Sequence, residues 1–170
     1  SDNKILSIPA YSFIYLIRGT PLLLQLYFVY YGISQFSIVR ESFLWPILKE
    51  PFWCGIITLT ISTGAYSAEI IRGGIQSVSQ GYIESGKALG LSRISIFLRI
   101  VMPITIRQAL PAYGNELILM VKASSLISIV TLMEITGIAR TIISKTYAPV
   151  EIFLVAGSIY LLINFIITRL

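Results

Sequence analysis

The sequence contains no histidine, only one cysteine and few charged residues. Without histidine, the chain lacks the usual general base near neutral pH and the commonest metal ligand in proteins. Cys54 has no second cysteine to pair with in the chain, and its place in an apolar run indicates a buried small side chain. Charged residues make up 12% of the 170 residues, about half the share in ordinary soluble domains. Composition therefore disfavours a metalloenzyme and a soluble globular domain.

Apolar residues dominate what is present. They account for 55% of the chain, and the mean hydropathy is +0.81. Apolar runs of about 20 residues recur, which is the length a helix needs to cross a bilayer. We therefore predict an all-α integral membrane protein, a helical bundle that forms one transmembrane domain over residues 1–170. The predicted spans are 21–39, 52–71, 110–133 and 150–168, and the stretch 5–17 lies at the interface or forms a broken leading half.

The basic residues are scattered between the apolar runs, which indicates a membrane topology signal and not a nucleic-acid surface. If the loop 72–108 is on the inner side, that side carries eight of the 13 Lys and Arg residues and the outer loops carry four. The positive-inside rule then places this loop in the cytoplasm. At the start of the first span, Thr20 before Pro21 predicts a helix cap, because proline suits the first helical position. Arg18 is interpreted as an interface anchor.

The cytoplasmic loop contains a false match to a nucleotide-binding loop. Gly81, Gly86 and Lys87 fit the spacing of a P-loop, but the next residue is Ala88, where Ser or Thr would hold Mg²⁺. A P-loop also requires a preceding strand, and a membrane helix precedes this segment. We therefore expect ATP to bind on another chain.

The same loop predicts a helix, a sharp turn and a second helix. The first helix covers 82–89, and Gly90 ends it because glycine adopts the left-handed conformation at little cost. Ser92 caps the next helix, which is predicted to run to Pro103. Four residues at helical spacing are expected on one apolar face of it: Ile94, Phe97, Leu98 and Val101.

These residues resemble a known motif. Glu84-Ser85-Gly86, Gly90 and Ile100-Val101-Met102-Pro103 match, in spacing, the Glu-Ala-Ala…Gly…Ile-x-Leu-Pro motif of permeases in binding-protein-dependent ATP-binding-cassette importers. Ser85 and Gly86 stand in place of the two alanines, and Met102 in place of leucine. The segments 18–21, 65–75 and 115–126 are similar to the polar amino-acid branch of that family. Members usually have five spans, so a further span is expected before Ser1, where the chain begins without Met.

The resemblance implies a mechanism and partners. Two permease chains, identical or homologous, would pair around a central path in the bacterial inner membrane, surrounded by lipid. Two ATPase subunits would bind ATP and Mg²⁺ and hydrolyse the ATP, a binding protein in the periplasm or on a lipid anchor would deliver substrate, and this chain would need no cofactor and bind no nucleic acid. The ATPase-docking segment would comprise Tyr82, Ile83, Glu84, Ser85, Gly86, Lys87, Ala88, Leu89 and Gly90.

Ionisable and polar residues within the spans indicate a path. Charges in a membrane are costly and usually face a pathway or a partner. Glu116 either faces the path and favours a cationic or zwitterionic substrate, or bonds another helix; Lys122 lies about 240° around the same helix and can reach toward a surface. Glu69 is best explained by an i,i+3 pair with Arg72. The candidate path residues are Asn115, Glu116, Ser124, Ser125 and Glu69.

The substrate expected from this set is a polar amino acid, with basic ones or an opine-like derivative favoured by Glu116. Another function compatible with polar spans is that of a secondary transporter without an ATPase. Against it, no inverted repeat is evident, and that class does not call for a glycine-terminated short helix. A membrane enzyme lacks a nucleophile or metal cluster to support it.

Overall fold

The structure, a computed structural model, describes residues 4–130 and 132–169 of the chain. All regular elements within these ranges are helical. The sequence start at Ser1 and one residue of the predicted third span, Thr131, lie outside the described residues.

The chain begins with two helices joined at a sharp bend. Helix α1 covers Lys4–Gly19 and α2 covers Leu22–Tyr27, which continues as a π-helical turn, Phe28–Gly32, and a 3-10 turn, Ile33–Gln35. The bend between them is 103°. The predicted cap is wrong: Pro21 occupies the cap position, and the Thr20 hydroxyl donates back to Leu16 O at 2.9 Å. The hydroxyl thus closes the end of α1, and its oxygen accepts from Gln25 Nε2 at 2.9 Å and not from a backbone N–H of α2.

Two single-turn helices, α3 (Ser37–Arg40) and α4 (Trp45–Leu48), connect this pair to α5. Helix α5 covers Pro51–Gln76, and its 26 residues rise about 39 Å, more than the hydrocarbon thickness of a bilayer. Pro51 is at its first turn, where the missing N–H costs nothing. The predicted span 52–71 is therefore extended at its inner end.

After α5 comes the short helix α6, Gln80–Ala88, and then one long helix, Arg93–Val130. The long helix comprises α7 (Arg93–Ile96), a π-helical turn Phe97–Val101, α8 (Met102–Ser124) and a 3-10 segment Ser125–Val130. The prediction that a separate helix ends at Pro103 is wrong. The π turn explains this, because Met102 N–H donates to Phe97 O five residues back and the chain enters Pro103 already helical.

The last part of the chain folds back as two helices. Helix α9 covers Ile135–Thr146, within the stretch 134–149 that was predicted to be an outer loop, and α10 covers Pro149–Arg169. Between them, Tyr147 has a left-handed conformation with φ 55°. Helix α9 packs on both α10 and the 3-10 end of the long helix. Its amphipathic pattern is the physical reason that this segment is ordered as a helix and not as a loop.

The core lies where α5 and the long helix pack against each other, with small residues at the contacts. A Cβ on Gly55 would lie 2.8 Å from Ile127 Cγ2, and a Cβ on Gly74 would lie 3.0 Å from Thr105 O. Leu26 of α2 joins Ile127 and Val130 in a buried apolar cluster near the outer end. Small residues are what allow helices to approach closely in membranes.

Three helices are long and apolar enough to cross a membrane, namely α5, the long helix and α10. The bent pair formed by α1 and α2 is a fourth candidate span. The prediction of an all-α membrane protein with four visible spans is therefore confirmed, although the third span is longer than predicted and α1 is steeply inclined to α2.

Candidate functional site

The turn after α6 is fixed by its backbone. Gly90 has φ +73°, as the sequence predicts, and a side chain there would be strained. Leu91 N–H donates to Gly86 O and Gly90 N–H donates to Lys87 O, both at 3.0 Å, which is the Schellman pattern of a helix end. Ser92 then caps the long helix by accepting from Ser95 N–H at 3.2 Å, which confirms that prediction. The two helices are joined by a turn with little freedom.

Gly86 is the point at which α6 contacts the long helix. It is buried, and a Cβ there would lie 3.0 Å from both Ile96 Cγ1 and Ile100 Cδ1. The absence of a side chain lets the backbone of α6 lie directly on these two isoleucines. This contact explains physically why the position that carries alanine in the motif is glycine here.

The nine predicted docking residues divide into an inner and an outer set. Gly86 is buried and Ile83 is half-buried, so these two hold α6 against the protein. The exposed set, which a partner can reach, is Tyr82, Glu84, Ser85, Lys87, Ala88, Leu89 and Gly90. Leu89 is 80% exposed and Tyr82 is 59% exposed, so both large side chains are open to a partner.

Most of the apolar face predicted for the next helix points away from the rest of the protein. Ile94, Phe97 and Leu98 are exposed, and only Val101 is buried, together with Ile96. The π turn changes the angular spacing, so that residues five apart share the inner face. The exposed apolar side chains are left to contact lipid or another subunit.

Glu116 lies in a cleft between the start of α2, α5 and the long helix. The residue is 9% exposed. The cleft has a volume of about 270 Å³, and Ser62, Thr63 and Tyr66 contribute polar groups beside apolar side chains. Within the described residues, the charged group that interacts with Glu116 is Arg18. The arrangement offers a carboxylate, two hydroxyls and an aromatic ring to a small polar molecule.

Arg18 and Glu69 connect α1 to α5. Arg18 Nη1 lies 3.5 Å from Glu69 Oε1, and its guanidinium stacks over the Tyr66 ring at 5.1 Å. Glu69 also accepts from Arg72 Nε at 2.8 Å, which confirms the predicted i,i+3 pair. The Arg18 contact was not predicted from the sequence, because 51 residues separate the partners and no local pattern joins them.

The other predicted path residues do not gather around Glu116. Asn115 is exposed on another face of the helix. The hydroxyls of Ser124 and Ser125 donate to carbonyls three residues back in their own helix, Val121 O at 2.7 Å and Lys122 O at 2.6 Å. Lys122 lines a separate groove beside α10, so it and Glu116 lie on different faces, as predicted.

A second polar network, around Glu134, was not predicted. Glu134 Oε1 accepts from Gly137 N–H at 2.8 Å and so caps α9, while Glu134 Oε2 accepts from the Tyr160 hydroxyl at 2.6 Å. Tyr160 is at the middle of α10, so this bond ties α10 to the start of α9. An acidic residue directly before an amphipathic segment is the signal that could have identified the cap.

Comparison with known proteins gives one consistent result. The sequence matches, over residues 1–170, the family described as binding-protein-dependent transport system inner membrane component. It is 54% identical to the nopaline transport system permease protein NocM of Agrobacterium fabrum, over 100% of this chain and 71% of that protein. It is 38% identical to the histidine/lysine/arginine/ornithine transport system permease protein HisM of Escherichia coli, over 100% of this chain and 72% of that protein.

A solved structure, titled as an amino acid ABC transporter with histidines, has the same fold. Its TM-score is 0.87 at 34% sequence identity, and the match covers 99% of this chain and 75% of that one. The helical spans, the Gly90 turn and the family match agree with one another. The chain belongs to the family of binding-protein-dependent transport system inner membrane components.

Proposed function

We propose that this chain forms one half of the path through which an ATP-driven importer takes up polar amino acids, and that α6 docks on a separate ATPase. The observation that carries this proposal is the joint between α6 and the long helix. The Gly90 turn and the Gly86 contact fix α6 to a helix that also carries Glu116. A movement imposed on α6 therefore reaches the cleft through a continuous helix.

The docking surface is the exposed set of α6 defined above. Tyr82 and Leu89 offer apolar area, and Glu84 and Lys87 offer charges of both signs. Such a mixed surface suits a groove on a soluble partner, where apolar anchors are surrounded by polar contacts. The ATPase would hold ATP and Mg²⁺ and carry out the hydrolysis, so that this chain needs no cofactor of its own.

The remaining partners follow from the family. The system would contain two ATPase subunits, a second permease that is identical or homologous to this one, and a binding protein that delivers substrate. Among the described residues, many large apolar side chains of the spanning helices are exposed, including Phe153 at 48% and Leu161 at 72%. Lipid and a second permease are the partners that would cover them.

The substrate that fits the Glu116 cleft is a cationic or zwitterionic amino acid. Glu116 supplies a carboxylate at a position that water reaches poorly, and the hydroxyls of Ser62 and Thr63 offer hydrogen bonds beside it. The relatives named for nopaline and for histidine, lysine, arginine and ornithine agree with this choice. A basic amino acid or an opine-like derivative is therefore the proposed cargo.

The docking proposal is tested by copurification. The full-length protein is expressed with its candidate ATPase and neighbouring permease, purified in detergent and assayed for bound ATPase. Glu84→Lys should lose the ATPase, because it reverses a charge on the exposed set without touching the buried contact. Glu151→Lys, an equal change at the outer start of α10, is the matched control. Uptake that proceeds without any ATPase would instead indicate a secondary transporter.

A further inference from the structure

A second cleft lies between α1 and the inner end of α5, apart from the Glu116 cleft. Its volume is about 280 Å³, and it is lined by Tyr11, Ile14, Tyr15, Arg18, Gly19 and Glu69. Arg72 is adjacent, since it bonds Glu69 and interacts electrostatically with Tyr11. The proposed transport cycle assigns no role to this cleft.

The cleft has an excess of positive charge and of unused donors. Glu69 is the carboxylate beside two guanidinium groups. Arg72 is largely satisfied, because it donates to both oxygens of Glu69 and to Gln76 Oε1. Among the described residues, Arg18 donates no hydrogen bond; its close contacts are the 3.5 Å ion pair with Glu69 and the Tyr66 ring, and it interacts with Glu116 only electrostatically. A guanidinium carries five N–H donors, so Arg18 can bind a further anion with several oxygens.

The depth of the cleft is that of lipid headgroups. Arg72 is four residues from the inner end of α5, or about 6 Å along the axis, and α5 is longer than the hydrocarbon layer. Helix α1 meets the segment Leu22–Gln35 at 103°, so the two halves of this bent pair cannot both run along the membrane normal. The tyrosines of α1 are exposed, Tyr11 by 63% and Tyr15 by 72%, and tyrosine favours the interface between membrane and water.

We propose that this cleft binds the phosphodiester headgroup of an anionic phospholipid of the inner leaflet. Arg18 supplies the free donors, and the hydroxyls of Tyr11 and Tyr15 supply further ones. The exposed apolar residues of α1, such as Ile8 and Leu16, lie beside the acyl chains. Basic pockets between helices on the cytoplasmic side are known to select lipid headgroups in this way.

The proposal is tested by native mass spectrometry of the full-length protein with its partner subunits. The complex in detergent is titrated with short-chain phosphatidylglycerol and, in a separate experiment, with phosphatidylcholine. Arg18→Gln should weaken phosphatidylglycerol binding about fivefold, the factor expected for one basic side chain at an anionic headgroup. Arg99→Gln, which removes an exposed arginine outside the cleft, is the matched control and should leave binding unchanged. Glu69→Gln should strengthen binding, because it removes the competing carboxylate.

The sign of the Glu69→Gln effect separates a binding site from a structural contact. If the cluster only stabilises the fold, this variant weakens lipid binding along with stability, and the proposal fails. Equal binding of the two lipids, or equal effects of Arg18→Gln and Arg99→Gln, would also overturn it. Displacement of the lipid by millimolar inorganic phosphate would show that the ligand is a free anion instead. None of these results depends on ATPase docking, so the two proposals fail independently.

Discussion

Replacing Gly90 with alanine should uncouple α6 from the long helix while leaving the spans folded. A Cβ at this position would have no heavy atom within 4 Å, so the substitution creates no clash. Its cost comes from the backbone alone, because Gly90 has φ +73° and alanine is strained there. The perturbation therefore tests the turn and nothing else.

The expected cost is about 1–2 kcal/mol, the penalty of the left-handed conformation for a residue with a Cβ. That energy lowers the population of the native turn about 5- to 30-fold relative to alternatives in which α6 has rotated away. Gly90→Asn should cost less, since asparagine tolerates this conformation better. Gly81→Ala, in the same segment, is the control: its Cβ meets only Ser79 Oγ at an ordinary 3.7 Å, and alanine favours a helix by about 1 kcal/mol.

Two measurements check the prediction. Hydrogen exchange of the amides of Gly90 and Leu91, which donate to Lys87 O and Gly86 O, should accelerate in Gly90→Ala in proportion to the lost population. The affinity for the ATPase should fall by a similar factor. If Gly90→Ala and Gly81→Ala behave alike in both assays, the turn is not what holds α6 in place, and the account of coupling given above is refuted.

Three further predictions address the spans. Glu116→Gln should reduce uptake of a cationic amino acid at least tenfold more than uptake of a neutral one, measured with radiolabelled substrates in proteoliposomes; an equal loss for both would argue for a structural carboxylate. Tyr160→Phe should lower stability by about 1.5–3 kcal/mol, the range for a hydrogen bond to a charged group, because Glu134 loses a 2.6 Å donor; an unchanged thermal unfolding curve in detergent would contradict this. Gly55→Ala should cost about 1–3 kcal/mol through its 2.8 Å contact with Ile127, and this cost should largely vanish when it is measured in an Ile127→Ala background. Additive effects in the double variant would count against the contact.

The turn that joins α6 to the long helix could be predicted from the sequence. Gly90, and Ser92 two residues later, act through their own backbone and nearest neighbours, so their roles can be recognised without the rest of the fold. Pro103 shows the limit of the same rules. A proline usually marks a helix boundary, but the π turn before it lets the helix continue, and nothing in the sequence specifies that turn.

Contacts between distant segments were not predictable. The ion pair between Arg18 and Glu69 and the bond between Tyr160 and Glu134 join residues that no periodicity connects. The Glu116 cleft was predictable only in part. Glu116 could be recognised from sequence because a charge in a membrane is costly, but only the fold shows that Tyr66 lines the same cleft. Ser124 and Ser125 shared that polarity, yet their hydroxyls bond their own helix.

The close contact of Gly74 with Thr105 divides the long helix into arms of unequal length. From Thr105 to Ile96, where α6 rests, is about 14 Å, and from Thr105 to Ile127 is about 33 Å. If the helix pivots at this contact, a 1 Å displacement of Ile96 becomes a displacement of about 2.4 Å at Ile127 in the opposite direction. Such a pivot would amplify a small movement at the cytoplasmic end into a larger one at the outer end, where Ile127 packs on Leu26.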